Sequence, residues 1–423
     1  MQYEWIVVGG GVAGIALSEI LTRQGHSVLL VEKNAQLASE VTKGFHEWIH
    51  TGSLYTLIPD KMLTLKYMLG AIDDLLEFYG SFTRMNLTPT DCGLGILDDR
   101  GWFKSEYIHF RYRVSGRRAV LPWTWVIARS IFLIDSIKKH DWLRRRGGVL
   151  EQSGLTLNRE LIRQAFKVFR CKGRFHDYRT SDFTTHSRRI LRDLLATAIA
   201  NGLDLSLSNA FIRVEADGKS KRVFTEKGVF EAQNVALCLG GNVGEHSNAL
   251  VTTSYAPMAV VDNVPEGHCS FVELDYFTRN CINMLKKDAQ LALIGGISLK
   301  KKSDCQPYLD YVIREHQKYL PGLKVLHKYV GLKHEITFKG QPRNYLFHIV
   351  EGSPGVWSVI PGKFTLAFSL APEFYRRVYR KNPDKAFKTT VCDDRGAQLV
   401  AETVWFEEGI SNIKKEGENR GHD

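Results

Sequence analysis

The chain has 423 residues, 44% hydrophobic and 24% charged, a balance that excludes a disordered or collagen-like polypeptide and allows two closely joined domains. Its formal charge of +11 favours anionic partners (substrate, cofactor phosphate, lipid or nucleic acid) without choosing among them. Seven cysteines include no C-x-x-C pair, and their odd number argues against a disulfide framework, so a reducing, cytoplasmic setting is expected.

The N-terminus lacks the basic region of a signal peptide. No uncharged apolar run reaches the length of about 18 residues that a membrane-spanning helix requires. Residues Trp5 to Gly9 read as a buried parallel strand that ends in glycine. Gly9, Gly11 and Gly14 then follow as G-x-G-x-x-G. An apolar stretch of helical period runs from Val12 to Leu21, Gly25 stops it, and Ser27 to Val31 reads as a second strand ending at Glu32. This succession is the dinucleotide-binding unit. Gly9 permits the tight turn, Gly11 a close pyrophosphate, and Gly14 close packing of helix on strand. The helix start at Val12 and Ala13 offers free N–H groups to phosphate, and Glu32 can accept from a ribose. The unit alone does not distinguish FAD from NAD.

HEWIH, residues His46 to His50, follows in the H-E-x-x-H spacing of a zinc metalloprotease helix. Gly44 and Gly52 leave little room for that helix, and a third ligand is not evident, so no metal is expected here.

Two later segments complete a nucleotide domain. Phe211 to Gly241 reads as a strand meander starting at Phe211 and Ile212, then a buried strand running into Gly240 and Gly241. Val356 to Phe374 reads as a strand reaching Pro361-Gly362-Lys363, followed by a helix that begins near Thr365. Glycine admits a close ligand there, and Lys363 and the helix N-terminus can offset negative charge on it.

In this order the three pieces resemble the FAD-dependent oxidoreductases of the D-amino-acid oxidase superfamily, most closely the branch of glycerol-3-phosphate and L-2-hydroxyglutarate dehydrogenases. The likeness covers most of residues 4 to 375. It is carried by Ile49, His50, Gly52 and Tyr55, by CKGRFHDYRTSDFTTHSRRILRDLLATAIANGLDL, and by Gly362, Lys363 and Thr365 of the PGKFT turn. The resemblance implies an α/β fold, with a Rossmann-like FAD-binding domain of the glutathione-reductase type and a second α+β substrate domain on a mixed or antiparallel sheet. It divides the chain into 1–60, 205–250 and 350–380 for FAD, 60–205 and 250–350 for substrate, and a C-terminal extension over 381–423. Lys33, Thr42, His50, Gly52 and Phe364 join the cofactor residues, and His50, Tyr55, Lys333 and Lys363 are the catalytic candidates.

The departures are as specific. Bulky Phe45, His46 and Trp48 stand where relatives carry small polar residues. Leu54 and Lys333 occupy places where glycerol-3-phosphate dehydrogenases have arginine, and arginine gives a two-pronged phosphate grip that these residues lack. A small, anionic substrate other than glycerol 3-phosphate is therefore expected, oxidised at a CH–OH or CH–NH group. A tailoring oxidase of natural products with a larger substrate and a non-catalytic flavin-binding protein are the alternatives.

In the second domain YAPMAVV (Tyr255 to Val261) and YLFHIVE (Tyr345 to Glu351) read as strands. Arg111, Arg113, Arg117 and Arg118 form either an anion sleeve or a solvated basic face. Trp123 to Arg146 reads as a buried helix with a basic end, or as a peripheral contact with membrane or quinone. No nucleic-acid-binding module is evident. The tail SNIKKEGENRGHD is expected to fray.

Overall fold

The computed structural model describes residues 2–51, 53–55, 63–90, 93–98, 100–113, 175–218, 220–246, 250–275, 280–336, 346–385 and 394–409. Two eight-stranded sheets organise them.

The first sheet runs in the order His348–Ser353, Val356–Ile360, Gly228–Leu237, Gln2–Val8, Val28–Val31 and Leu203–Ser206. Its last five strands are parallel. Parallel strands are covered on both faces, and the WIVV and VLLV runs are accordingly buried without interruption. Alternation within Gln2–Val8 sends Trp5 and Val7 to one core and Ile6 and Val8 to another. Helices Val12–Arg23, Leu63–Tyr79, Ser187–Ala200 and Ala367–Tyr379 contribute to the first core. The meander strands Phe211–Asp217 and Ser220–Thr225 join the other side through Gly228–Leu237. Each fully buried aliphatic side chain of these runs contributes about 1.5–3 kcal/mol.

The second sheet runs in the order Lys324–Ile336, Val251–Asp262, Ala292–Gly296, Asn280–Lys286, Phe271–Asp275, Phe103–Arg113, Phe175–Thr185 and Trp48–Ile49. It is mixed, with Phe271–Asp275 parallel to Phe103–Arg113. Helix Cys305–Gln317 lays Leu309, Val312 and Ile313 on Ala259, Ile282 and Ile294 of this sheet.

Three expectations change. Within YLFHIVE, residues 348–351 belong to the first sheet, because His348–Ser353 folds back antiparallel on Val356–Ile360. Helices Leu63–Tyr79 and Ser187–Ala200, assigned from sequence to the substrate side, bury Ile72, Leu75, Phe78, Leu191 and Leu194 in the core shared with Trp5 and Ile15. Trp48–Ile49, inside the segment assigned to the FAD domain, is the edge strand of the second sheet, paired with Phe183 and Thr184. Among the described residues no helix is long and apolar enough to cross a membrane. Arg117, Arg118, Trp123 to Arg146 and the tail from Ser411 lie outside the described residues.

Candidate cofactor and active site

The glycine turn begins at Gly9, whose φ of +100° suits only a residue without a Cβ. A Cβ there would also lie 2.5 Å from the Cys238 carbonyl oxygen. Gly14 is packed tighter still, since a Cβ on it would meet the Gly9 carbonyl oxygen at 1.8 Å. Helix Val12–Arg23 therefore rests directly on the turn. Its first turn holds no acidic residue and its N-cap, Gly11, has no side-chain bond, so the helix places no acidic side chain of its own at its positive dipole end. The Val12 N–H donates to Thr42 Oγ1 at 3.2 Å. Glu32 is buried, and its two oxygens accept from the Gly10 N–H at 2.7 Å and the Asn34 N–H at 2.9 Å. Each oxygen keeps a lone pair for a hydroxyl.

A cavity of about 610 Å³ runs along this turn, within the size range of small-molecule sites. Glu32, Lys33, Phe211 and Ile212 line it, followed by Gly9, Gly11, Val12, Ala13 and Thr42, then by Gly240 and Gly241. Phe45, Lys333, Gly362, Lys363 and Phe364 also line it. Gly362 has φ +69°, and the Lys363 N–H donates to the Pro361 carbonyl at 2.7 Å, so the chain turns within three residues before Phe364–Leu366 and helix Ala367–Tyr379. His334 lies over the Gly240-Gly241 turn, where a Cβ on Gly241 would come within 2.6 Å of its ring. Its Nδ1 is 3.0 Å from Thr253 Oγ1. A helix start without acidic side chains of its own, glycines along the wall and acceptor capacity on Glu32 fit an elongated anionic dinucleotide.

HEWIH is not helical. Val41–Gly44 forms a 3-10 turn, and Trp48–Ile49 joins the second sheet. Glu47 adopts φ +57°, a left-handed conformation that costs energy for a residue with a side chain. Its carboxylate repays this through four hydrogen bonds. Oε1 accepts from the Ser187 N–H at 2.9 Å and the Ser187 hydroxyl at 2.7 Å, at the start of helix Ser187–Ala200. Oε2 accepts from Lys287 Nζ at 2.9 Å and Trp405 Nε1 at 2.7 Å. Burial pushes the Glu47 pKa up, but Lys287 and the Ser187 hydrogen bond outweigh it and hold the group at about 2. Lys287 Nζ also donates to the His46 carbonyl at 2.7 Å.

The two histidines are set apart. His46 Nε2 faces Gly295 of the second sheet, where a Cβ would lie 3.1 Å from it. The His50 ring packs on Trp48 at 4.1 Å and meets Tyr55 edge-on at 5.2 Å, while the His50 backbone N–H donates to Thr365 Oγ1 at 2.9 Å. Burial first, then the charges of Lys333 and Lys363, hold both imidazoles well below the usual histidine range and therefore neutral. His46 Nε2 and His50 Nδ1 are buried without hydrogen-bond partners among the described residues. The 3.9 Å from His50 Nδ1 to Asp182 Oδ2 exceeds hydrogen-bond distance, and a neutral ring makes no ion pair. Asp182 instead accepts from Trp48 Nε1 at 3.1 Å and from the Thr51 N–H and hydroxyl at 2.8 and 2.6 Å. Among the described residues no group of three His, Cys, Asp or Glu side chains could hold a metal ion. Glu47, with its lysine, serine and tryptophan partners, is a structural tie in place of the protease glutamate.

Most of the expected cofactor residues thus share one cavity, and Lys333 and Lys363 reach it from different sheets. His50, Tyr55 and Thr365 do not line it. Phe45 packs on Phe364 at 5.2 Å at the cavity wall, and Thr365 is buried beneath the His50 amide. Lys363 connects the two regions, its Nζ standing 5.2 Å from the Tyr55 ring centroid. Gly52 lies outside the described residues. Of the basic cluster, read from sequence as either an anion sleeve or a solvated basic face, Arg113 pairs with Glu273, and with Glu315 at 3.5 Å. Sequence reasoning missed Lys287, Trp405 and His334, which carry no motif and reach the site only through strand pairing and the C-terminal fold-back.

Comparison with known proteins agrees with this geometry. Residues 4–365 match the family described as FAD dependent oxidoreductase. No curated protein matches the sequence. Among solved structures the chain is similar to L-α-glycerophosphate oxidase from Mycoplasma pneumoniae with FAD bound, at a TM-score of 0.63 and 15% identity over 92% of this chain and 98% of that one. It is similar to glycine oxidase from Geobacillus kaustophilus, with TM-score 0.59, 16% identity and coverage of 94% and 98%. It also resembles NikD, an amino acid oxidase essential for nikkomycin biosynthesis, with TM-score 0.60, 12% identity and coverage of 95% and 98%. At these identities the structures show a shared fold, and the family match over residues 4–365 carries the assignment: the chain belongs to the FAD-dependent oxidoreductases of the D-amino-acid oxidase type, and its cofactor is FAD.

Proposed function

We propose that the cavity holds FAD along Gly9–Ala13, Glu32, Gly240-Gly241 and Gly362–Phe364, and that the protein oxidises a small anionic substrate at a CH–OH or CH–NH group. The observation that carries this reading is the convergence of Lys333 and Lys363, from separate sheets, on the cavity shared with the glycine turn. Two ammonium groups in a partly dry site attract one carboxylate or phosphate and orient the carbon that bears the reacting hydrogen. The similar structures act on amino acids or glycerophosphate, molecules that combine an anionic group with an amine or alcohol.

Bound FAD supplies the two-electron acceptor. His50 is the candidate base, set behind the cavity wall rather than on it. Its ring is neutral, and it lies one side chain, Tyr55, away from Lys363, which lines the cavity. It can take the proton from the hydroxyl or ammonium of the substrate. Tyr55 orients the His50 edge, and Lys333 and Lys363 hold the anion. The free cysteines Cys238, Cys269, Cys281 and Cys305 suit a reducing compartment.

Purification tests the reading. A yellow protein whose flavin bleaches anaerobically with one member of an amino-acid, hydroxy-acid and phospho-alcohol panel is the expected result. A panel in which only uncharged substrates reduce the flavin would overturn the assignment of the lysines.

A further inference from the structure

The family match ends at residue 365, yet the chain returns to the site beyond it. The Leu37 N–H donates to the Leu399 carbonyl at 2.7 Å, and the Ala401 N–H donates back to Leu37 at 2.9 Å. Gln36 Nε2 donates to the Gln398 carbonyl at 2.9 Å. Lys43 pairs with Glu407 at 2.6 Å, and Trp405 donates to Glu47. The Trp405 ring is anchored among Val260, Leu291 and Leu293 of the second sheet, while Glu402 pairs with Arg192 on helix Ser187–Ala200. Residues 394–409 therefore grip residues 36–47 at both ends, and that gripped stretch supplies Ala38, Thr42 and Phe45 to the cavity wall. The wall has only one short 3-10 turn of its own, and both Ala38 and Glu47 hold left-handed φ values of +57°. A wall with so little internal hydrogen bonding takes its shape from outside contacts.

We propose that residues 394–409 are a strap whose hold on residues 36–47 sets how tightly FAD is retained, with Trp405 as its main positioning residue. The inference rests on the reading of the cavity as the FAD site. The Trp405 N–H donated to the buried Glu47 carboxylate is a charge-assisted tie between strap and wall, and its loss loosens the stretch that carries Phe45 and Thr42.

Trp405→Phe keeps an aromatic ring in the packed position and removes the N–H donor together with the rest of the indole. Two quantities are compared with the unaltered full-length protein: the FAD dissociation constant by flavin fluorescence, and backbone hydrogen exchange in the FAD-free protein. The expected result is a rise in Kd of about tenfold, with faster exchange confined to residues 36–47. Unchanged Kd overturns the proposal, whether or not exchange accelerates. If Trp405→Phe does not fold, Glu407→Gln at the surface pair with Lys43 is expected to raise Kd about twofold, and an unchanged value is again fatal. Gly11→Asp checks the underlying reading separately, by placing a carboxylate at the helix start. An FAD affinity indifferent to it means that the cavity is not the cofactor site, an outcome distinct from failure of the strap.

Discussion

Glu47 and Trp405 stand 358 residues apart in sequence, and a 2.7 Å hydrogen bond joins them in a buried site. Lys287 completes the arrangement at 2.9 Å, with both charged side chains at most 2% exposed. A buried pair of this kind is costly to break from one side, because the remaining charge stays out of water. Lys287→Met is expected to destabilise the protein by about 3–5 kcal/mol, read as a lower urea midpoint. A change below about 1 kcal/mol would mean that Glu47 is compensated without Lys287.

The same tie carries a pH signature. Glu47 has a folded-state pKa of about 2, below its ordinary value of 4.5. Its contribution is thus fully present above pH 4.5 and is lost as pH falls toward 2, amounting to about 3 kcal/mol. Urea denaturation at intervals between pH 6 and 3 should show Glu47→Gln losing less stability over this range than the unaltered protein.

Gly14→Ala places a methyl group 1.8 Å from the Gly9 carbonyl oxygen, a contact that only movement of helix or turn relieves. The expected cost is about 3 kcal/mol, accompanied by loss of bound flavin. Flavin content per chain after gel filtration checks this. Full occupancy would show that the turn has slack that its packing conceals.

Lys363 and Lys333 help hold His50 neutral. Removing a positive charge favours the protonated ring, so Lys363→Met is expected to raise the His50 pKa. The acid limb of kcat/KM should then move to higher pH, because the base is protonated sooner as pH falls. An acid limb that stays in place while KM rises would assign Lys363 to binding alone.

Chelation bears on the H-E-x-x-H spacing. With Glu47 committed to Ser187, Lys287 and Trp405, dialysis against EDTA should leave flavin reduction by substrate unchanged. Loss of activity restored by zinc would place a metal where the structure shows a carboxylate clamp.

The nucleotide half was legible because its chemistry is local. Gly9, Gly14 and Glu32 act through turn geometry within a single βαβ unit, so their spacing carries their roles. The PGKFT turn and the Gly240-Gly241 turn were legible for the same reason, each being a strand end followed by a chain reversal. His50 and Tyr55 were catalytic candidates from the resemblance, and that neither lines the cavity, at whose wall Phe45 packs on Phe364 across more than 300 residues, is set by tertiary contacts. No pattern in HEWIH announces this.

By itself the sequence determined the glycine turn and the acid at the end of the second strand, because each follows from short-range spacing and strand–helix alternation, while the family resemblance implied the fold class and FAD. Only the tertiary structure decided what HEWIH is. The left-handed backbone at Glu47, its carboxylate locked by Ser187, Lys287 and Trp405, and a strap from beyond the family segment all depend on long-range pairing that places distant residues in one buried, low-dielectric site. There a charge must find partners, and the fold alone determines which ones lie within reach.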